Sequence, residues 1–333
     1  EYMLYSLRTD TLIPSALFEC LSILLIVRGL RRGGILPFVG SGIAAGLAYL
    51  TRNDAVLLLP MLIVTVIVYA LWSREKFYPR AAVLVPLVAL VVVTPWLIRN
   101  LNAIGMLGSP ETSSMFFFTD HSDHYAFGRH FTLETMLAAQ TPAQIVGKRL
   151  FELAAAVKVM ITSFDGFLPV AVAGGLLLLI QRRSDDARRR LLALAPTLIL
   201  LLGILVAYPI LIPYKSQAGS FKKAYLSILP LLLPLGAYGV ERAVADRRLR
   251  LGVMALVVAL LAFDAVDAVR LEQQLNDTYL ASVETMAAQA RALPDTNGDG
   301  DIILMAQDPY ILRFAGLRSI MFPNEDRDTI IQI

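Results

Sequence analysis

The sequence predicts an all-α polytopic membrane protein of about eight transmembrane helices with a small extracytoplasmic α/β tail. Three observations carry that prediction. Apolar residues make up 56% of the chain and charged residues 17%, against about 45–50% and about 25% in soluble domains. The apolar excess is arranged in blocks, and mean hydropathy is +0.62. The basic residues gather in alternate loops between those blocks, as topology rather than nucleic-acid binding would arrange them. The net charge of +3 therefore names no polyanionic partner.

Taken in order, the apolar runs fall at 11–28, 36–50, 54–72, 81–98, 166–181, 191–212, 224–241 and 251–269. Each is long enough, or nearly so, to cross a core about 30 Å thick at about 1.5 Å per residue. Thr9–Asp10–Thr11 reads as the cap of the first. Glu19 stands inside it, where an ionisable group is costly and is expected to face a cavity or a partner. Cys20, the single cysteine, cannot form an internal disulfide. The second run is short and carries Gly40, Gly42 and Gly46, small residues that let helix backbones approach closely.

Arg28, Arg31 and Arg32 lie in one set of loops, with Arg74, Lys76 and Arg80, then Arg182, Arg183 and Arg188–Arg190, then Arg242, Arg247, Arg248 and Arg250. These loops are expected to be cytoplasmic. Residues 1–10, the TRND corner, 99–165, 213–223 and 270–333 then face the other side. The chain divides into a transmembrane domain, 1–269, with an extracytoplasmic loop at 99–165, and a tail at 270–333. Within the loop, residues near 142–162 have apolar and basic positions at helical spacing and are expected to lie along the interface. In the tail, VETMAAQARALP reads as an amphipathic helix, DIILMAQ as a strand, DPYILRFAG as a short helix and LRSIMFP as a second strand. That α/β unit is cut off soon after NEDRD, and the chain opens on Glu1, so the sequence reads as a fragment.

Chemistry is expected on the outer side. The stretch Thr94–His130 holds all three histidines, His121, His124 and His130. In DHSDH, Asp120 pairs with Asp123 and His121 with His124 at a spacing of three, so each pair shares a face on a helical turn. These four are candidates for acceptor or metal contact, with a divalent cation as the cofactor that would suit them. The alternative is a solvated turn with local hydrogen bonds. Arg52 in TRND and Arg99 after PWLI are candidates to bind a lipid phosphate through the guanidinium fork, or else surface residues that snorkel. Lys215, Lys222 and Lys223 flank SQAGSF against the positive-inside trend, and phosphate attraction is one reason for them. DTNGDGD resembles a calcium loop, but Ala306 stands where its final glutamate belongs, so a turn without a tight ion is expected. No P-loop, G-x-S-x-G or H-E-x-x-H is present, so ATP-driven transport and soluble hydrolase chemistry gain no support.

RTDTLIPSALFECLSILLIVRG, GIAAGLAYLTRNDAVLLLP, TPWLIRNLNAIG and GSFKKAYLSILPLLLPLGAYG together resemble the GT-C membrane glycosyltransferases. The likeness is to family-39-type enzymes, related to protein O-mannosyltransferases and the lipid A aminoarabinose transferase. It implies transfer of a hexose or pentose from a polyprenyl-phosphate donor to a protein, lipid or glycan acceptor, on the outer face of a plasma or inner membrane of the cell envelope. It also implies a catalytic acid in the first extracytoplasmic loop, expected upstream of Glu1; Asp10 lies too late to be that acid. Arg52, Arg99, Lys222 and Lys223 would then meet the lipid phosphate, and Asp120, His121, Asp123 and His124 the acceptor or a metal. The rival class is a transporter or flippase of a lipid-linked substrate, with Glu19 central to its path.

Overall fold

The computed structural model describes residues 11–72, 79–107, 114–120, 122–123, 126, 129–162, 174–177, 180, 185–211, 219–292, 303–306 and 317–321. The elements are α1 (Leu12–Arg32), α2 (Leu36–Thr51), a 3-10 turn (Asn53–Leu57), α3 (Leu58–Trp72), α4 (Pro79–Ile104), a 3-10 turn (Met115–Phe117), α5 (Leu133–Ala139), α6 (Pro142–Thr162), α7 (Asp185–Leu211), α8 (Gly219–Ala243), α9 (Arg247–Arg291), β1 (Ile303–Ala306) and β2 (Arg318–Met321).

α1 and α2 form an antiparallel hairpin. Gly33 and Gly34 turn the chain with φ of 76° and 92°, a region that side chains other than glycine adopt at a cost. Halfway along the pair, Ser22 Oγ donates to the Ser41 carbonyl at 2.9 Å, and Ser41 Oγ returns a bond to the Ser22 carbonyl at 2.9 Å. Both serines are fully buried. Hydrogen bonds of this kind join helices where apolar lipid offers no hydrophobic drive.

Gly40 of α2 faces Leu25 of α1, while Gly42 and Gly46 face α4. A Cβ on Gly42 would lie 2.6 Å from the Val85 carbonyl oxygen and 2.7 Å from Val88 Cβ, and one on Gly46 would lie 2.7 Å from Val92 Cβ. The two backbones therefore touch in a parallel register. Gly42→Ala is expected to destabilise the bundle by about 1–3 kcal/mol, because a backbone atom must move to admit the methyl group. Gly147→Ala on α6, where nothing lies within 4 Å, should leave the protein's melting temperature in detergent unchanged or slightly raised. Equal melting of the two variants would show that the close approach carries no energy.

α7 runs antiparallel to α3, with Gly203 against Met61 and Tyr208 against Asp54. α8 packs on α1 and α7. Near the start of α7 and the end of α8, Arg190 and Arg242 lie over the Tyr238 ring at 5.1 Å and 5.3 Å. Among the described residues the larger core is built from residues such as Ile26, Phe38, Leu62, Val85, Ile204 and Ile228, and a smaller one from Ala187, Leu191, Leu235 and Tyr238. The opposite faces carry exposed apolar stripes, for example Val83, Leu87 and Leu90 on α4 and Leu202, Val206 and Ile210 on α7.

Among the described residues, four helices are long and apolar enough to cross a membrane: Leu12–Arg32, Asn53–Trp72, Arg80–Ile104 and Arg189–Leu211, with Leu36–Thr51 a shorter apolar helix. α6 spans Pro142–Thr162, where the sequence places a helix. It buries Glu152 and Ala156 against the bundle and exposes Val146, Leu150, Val157 and Ile161 on another face.

The C-terminal region departs from expectation in one respect. The sequence separates a crossing at 251–269 from an amphipathic helix in the tail, but both belong to the 45-residue α9. At about 1.5 Å per residue it extends about 67 Å. Asp246 caps it by accepting from the Leu249 N–H at 2.8 Å, and no proline interrupts it before Pro294. β1 and β2 pair in parallel, Ile303 opposite Arg318 and Ala306 opposite Met321. Residues 1–10, 163–173, 212–218, DTNGDGD and DPYILRFAG lie outside the described residues.

Candidate functional site

The corner between α2 and α3 forms because Arg52 leaves the helix. Its backbone is extended (φ −149°, ψ 128°), and Asn53–Leu57 then makes a 3-10 turn. That geometry folds the Arg52 side chain onto the carboxylate two residues ahead. Nε donates to Asp54 Oδ1 at 2.9 Å and Nη2 to Oδ2 at 2.6 Å. From α7, Tyr208 Oη donates to the same Oδ2 at 2.7 Å. The pair is largely enclosed, with side-chain exposures of 15% and 22%. Of the five guanidinium N–H groups, Asp54 takes one on Nε and one on Nη2.

Glu19 lies deeper in the same end of the bundle. Ser15 Oγ donates to its Oε1 at 2.9 Å, and Ser227 Oγ on α8 to its Oε2 at 2.5 Å. The Cys20 thiol donates to the Ser227 carbonyl at 3.5 Å. Glu19 and Asp54 line one small cavity with Ala55, Leu57, Leu58, Leu200, Ile204 and Ala224. Its volume of about 10 Å³ is near the minimum for a single water. Two carboxyl groups that the sequence treats separately thus share one polar pocket within an apolar bundle.

The ring of Tyr208 meets Phe221 edge-on at 6.3 Å, and Phe221 stacks on Tyr225 at 6.0 Å. This brings the first turns of α8, which carry Lys222 and Lys223, beside the Arg52 corner. The side chains of the two lysines lie outside the described residues. Arg99 is exposed and sits over Trp96 at 5.2 Å. Gly42 faces Val85 and Gly46 faces Ala89, a parallel register that sets the end of α2 opposite Pro95–Arg99. Four residues singled out for a phosphate therefore come from the same end of the bundle.

The polar loop is organised by Asp123, which is 4% exposed. Its Oδ2 accepts from Thr119 N–H at 2.8 Å, Thr119 Oγ1 at 3.1 Å and Asp120 N–H at 3.1 Å, while Arg129 approaches Oδ1 at 3.6 Å. Asp120 Oδ1 accepts from the Ser122 N–H at 3.0 Å and its hydroxyl at 2.9 Å. Lys148 on α6 ties the loop down by donating to the Thr119 carbonyl at 2.7 Å. Phe118 is buried in the bundle core and packs edge-on against Phe131 at 4.7 Å. Asp120 and Asp123 thus bond within their own turn. His121 and His124 lie outside the described residues, and His130 is exposed. Among the described residues no group of three His, Cys, Asp or Glu side chains is placed to hold a metal.

Tyr208, Ser15, Ser227 and Lys148 are absent from the sequence expectations. A tyrosine near the end of an apolar run reads as a member of the interfacial aromatic belt, and only the fold shows that it meets Asp54. Tyr208→Phe removes a hydrogen bond to an ionised group and is expected to cost about 1–2 kcal/mol. Thermal melting in detergent checks this; an unchanged midpoint would mean the hydroxyl adds nothing to the corner.

Residues 1–98 match the model of a family described as dolichyl-phosphate-mannose-protein mannosyltransferase, a GT-C type family. The match takes in Glu19 and the Arg52–Asp54 corner and ends just before Arg99. No curated protein and no solved structure matches the chain.

Proposed function

We propose that the chain belongs to an integral-membrane glycosyltransferase that moves a sugar from a polyprenyl-phosphate donor to a protein, lipid or glycan acceptor on the extracytoplasmic face. The observation that carries this reading is the Arg52–Asp54 corner inside the family-matched region, joined by Tyr208 from α7 outside it. An arginine whose Nε and Nη2 are fixed by Asp54 near the end of an apolar bundle is oriented before any ligand arrives, and a guanidinium charge suits a phosphate. The first turn of α8 carries Lys222 and Lys223 and the end of α4 carries Arg99, and in this reading those cations would supply the charge stabilisation that the leaving lipid phosphate needs. A carboxylate elsewhere deprotonates the acceptor hydroxyl. Glu19 is not assigned that task, since both its oxygens accept serine hydroxyls.

The same reading places about eight crossings in the membrane, in alternate directions, with the tail from residue 270 onward outside. Asp120, His121, Asp123 and His124 would then lie on the acceptor side, where a divalent cation is a further component to test. A transporter needs a path past Glu19, and the cavity there admits about one water. That favours the enzyme.

The test uses membranes carrying the full-length protein and a radiolabelled polyprenyl-phosphate mannose. Label should pass to a macromolecular acceptor and fall in the Arg52→Ala variant. Disappearance of donor from one leaflet without covalent transfer would support the transporter instead.

A further inference from the structure

The end of α1 opposite the Arg52 corner carries an unassigned surface feature. Arg28, Arg31 and Arg32 are all exposed there. With Leu24 and Val27 they line an open pocket of about 380 Å³. The spacing of three and four residues puts all five on one helix face. Among the described residues, no carboxylate pairs with any of these arginines. The same face continues along the helix as Leu24, Leu21 and Leu17, exposed by 57%, 42% and 62%. From Arg28 to Leu17 is about 16 Å along the axis, half of a hydrocarbon core about 30 Å thick. A cluster of cations thus caps an apolar track one leaflet deep.

We propose that this face binds one anionic phospholipid, its phosphate on Arg28, Arg31 and Arg32 and an acyl chain along Leu24, Leu21 and Leu17. The guanidinium fork suits a phosphate, and basic clusters at the cytoplasmic ends of helices attract anionic headgroups. A zwitterionic lipid would bring an ammonium group into a site that already holds three guanidinium groups. Topology alone asks for basic residues on that side of the membrane, but not for a common helix face above an apolar track. The inference is independent of the sugar-transfer reading, because it lies at the other end of the helix and involves no donor.

Native mass spectrometry of the full chain, purified in detergent, tests it with phosphatidylglycerol, phosphatidylcholine and glycerol 3-phosphate as separate probes. One phosphatidylglycerol adduct should form with at least about tenfold preference over phosphatidylcholine. Glycerol 3-phosphate should neither bind tightly nor displace it. The triple variant Arg28→Gln/Arg31→Gln/Arg32→Gln should lose the adduct. If that variant does not fold, Arg28→Gln alone should weaken the adduct severalfold at an unchanged melting temperature. Equal retention of both lipids, or an adduct that survives the substitutions, would overturn the proposal. Displacement by glycerol 3-phosphate would overturn it too, by making the site one for soluble phosphate.

Discussion

Arg52→Ala should lower sugar transfer about tenfold to more than a hundredfold. A hydrogen bond between charged groups is worth about 1.5–3 kcal/mol, and the contact lies at the end of the bundle, where the effective dielectric is below that of water. The substitution also strips Asp54 of its bidentate partner, leaving a largely enclosed carboxylate with the Tyr208 hydroxyl. Some loss of stability is therefore expected with the loss of transfer. The double variant Arg52→Ala/Asp54→Asn separates the two, since it removes the orphaned charge. It should regain the melting temperature and remain inactive. Arg52→Lys should keep part of the activity, because charge persists while the fork is lost. Full activity in Arg52→Ala would return Arg52 to a snorkelling surface residue.

Glu19→Ala should be the most destabilising single change in the half of the bundle that holds the Arg52 corner, by about 2–4 kcal/mol. It opens a space between α1 and α8 and takes the carboxylate acceptor from the Ser15 and Ser227 hydroxyls, of which Ser227 keeps the Ala224 carbonyl at 2.8 Å. Glu19→Gln keeps the volume and one acceptor oxygen, so it should melt much closer to the wild type. If Glu19 is a clamp between helices, the glutamine variant also keeps most of the transfer activity. Transfer abolished by Glu19→Gln at unchanged stability would show that the charge itself is used.

The outline of the bundle was readable in the sequence because each apolar run is longer than a soluble strand and ends in charge. Gly42 and Gly46 announced a close approach, and α4 supplies it. Glu19 was expected to face a cavity or a partner, and it does both. The connections across the bundle were not readable. Nothing in the local sequence ties Tyr208 to Asp54 or Ser227 to Glu19, since those pairs are set by how α7 and α8 dock. Nor could periodicity distinguish an interrupted 251–294 from one continuous α9: the segment changes from apolar to charged while staying helical throughout. Asp123 shows the limit in the other direction. Its spacing from Asp120 makes the pair a candidate ligand set, and only the fold shows that its Oδ2 also accepts from the backbone and hydroxyl of Thr119 and from the Asp120 N–H, with Arg129 near Oδ1.

The measurement that bears most directly on the phosphate site is photo-crosslinking with a polyprenyl phosphate carrying a photoreactive group near the phosphate. In membranes containing the full-length protein, label should map to residues 52–58 and to the first turns of α8, 219–228. It should be competed by unlabelled polyprenyl-phosphate mannose and reduced in Arg52→Ala. Label confined to the Gly33 end of α1, or label at the Arg52 corner indifferent to both competitor and substitution, would contradict the assignment of that corner to the donor phosphate.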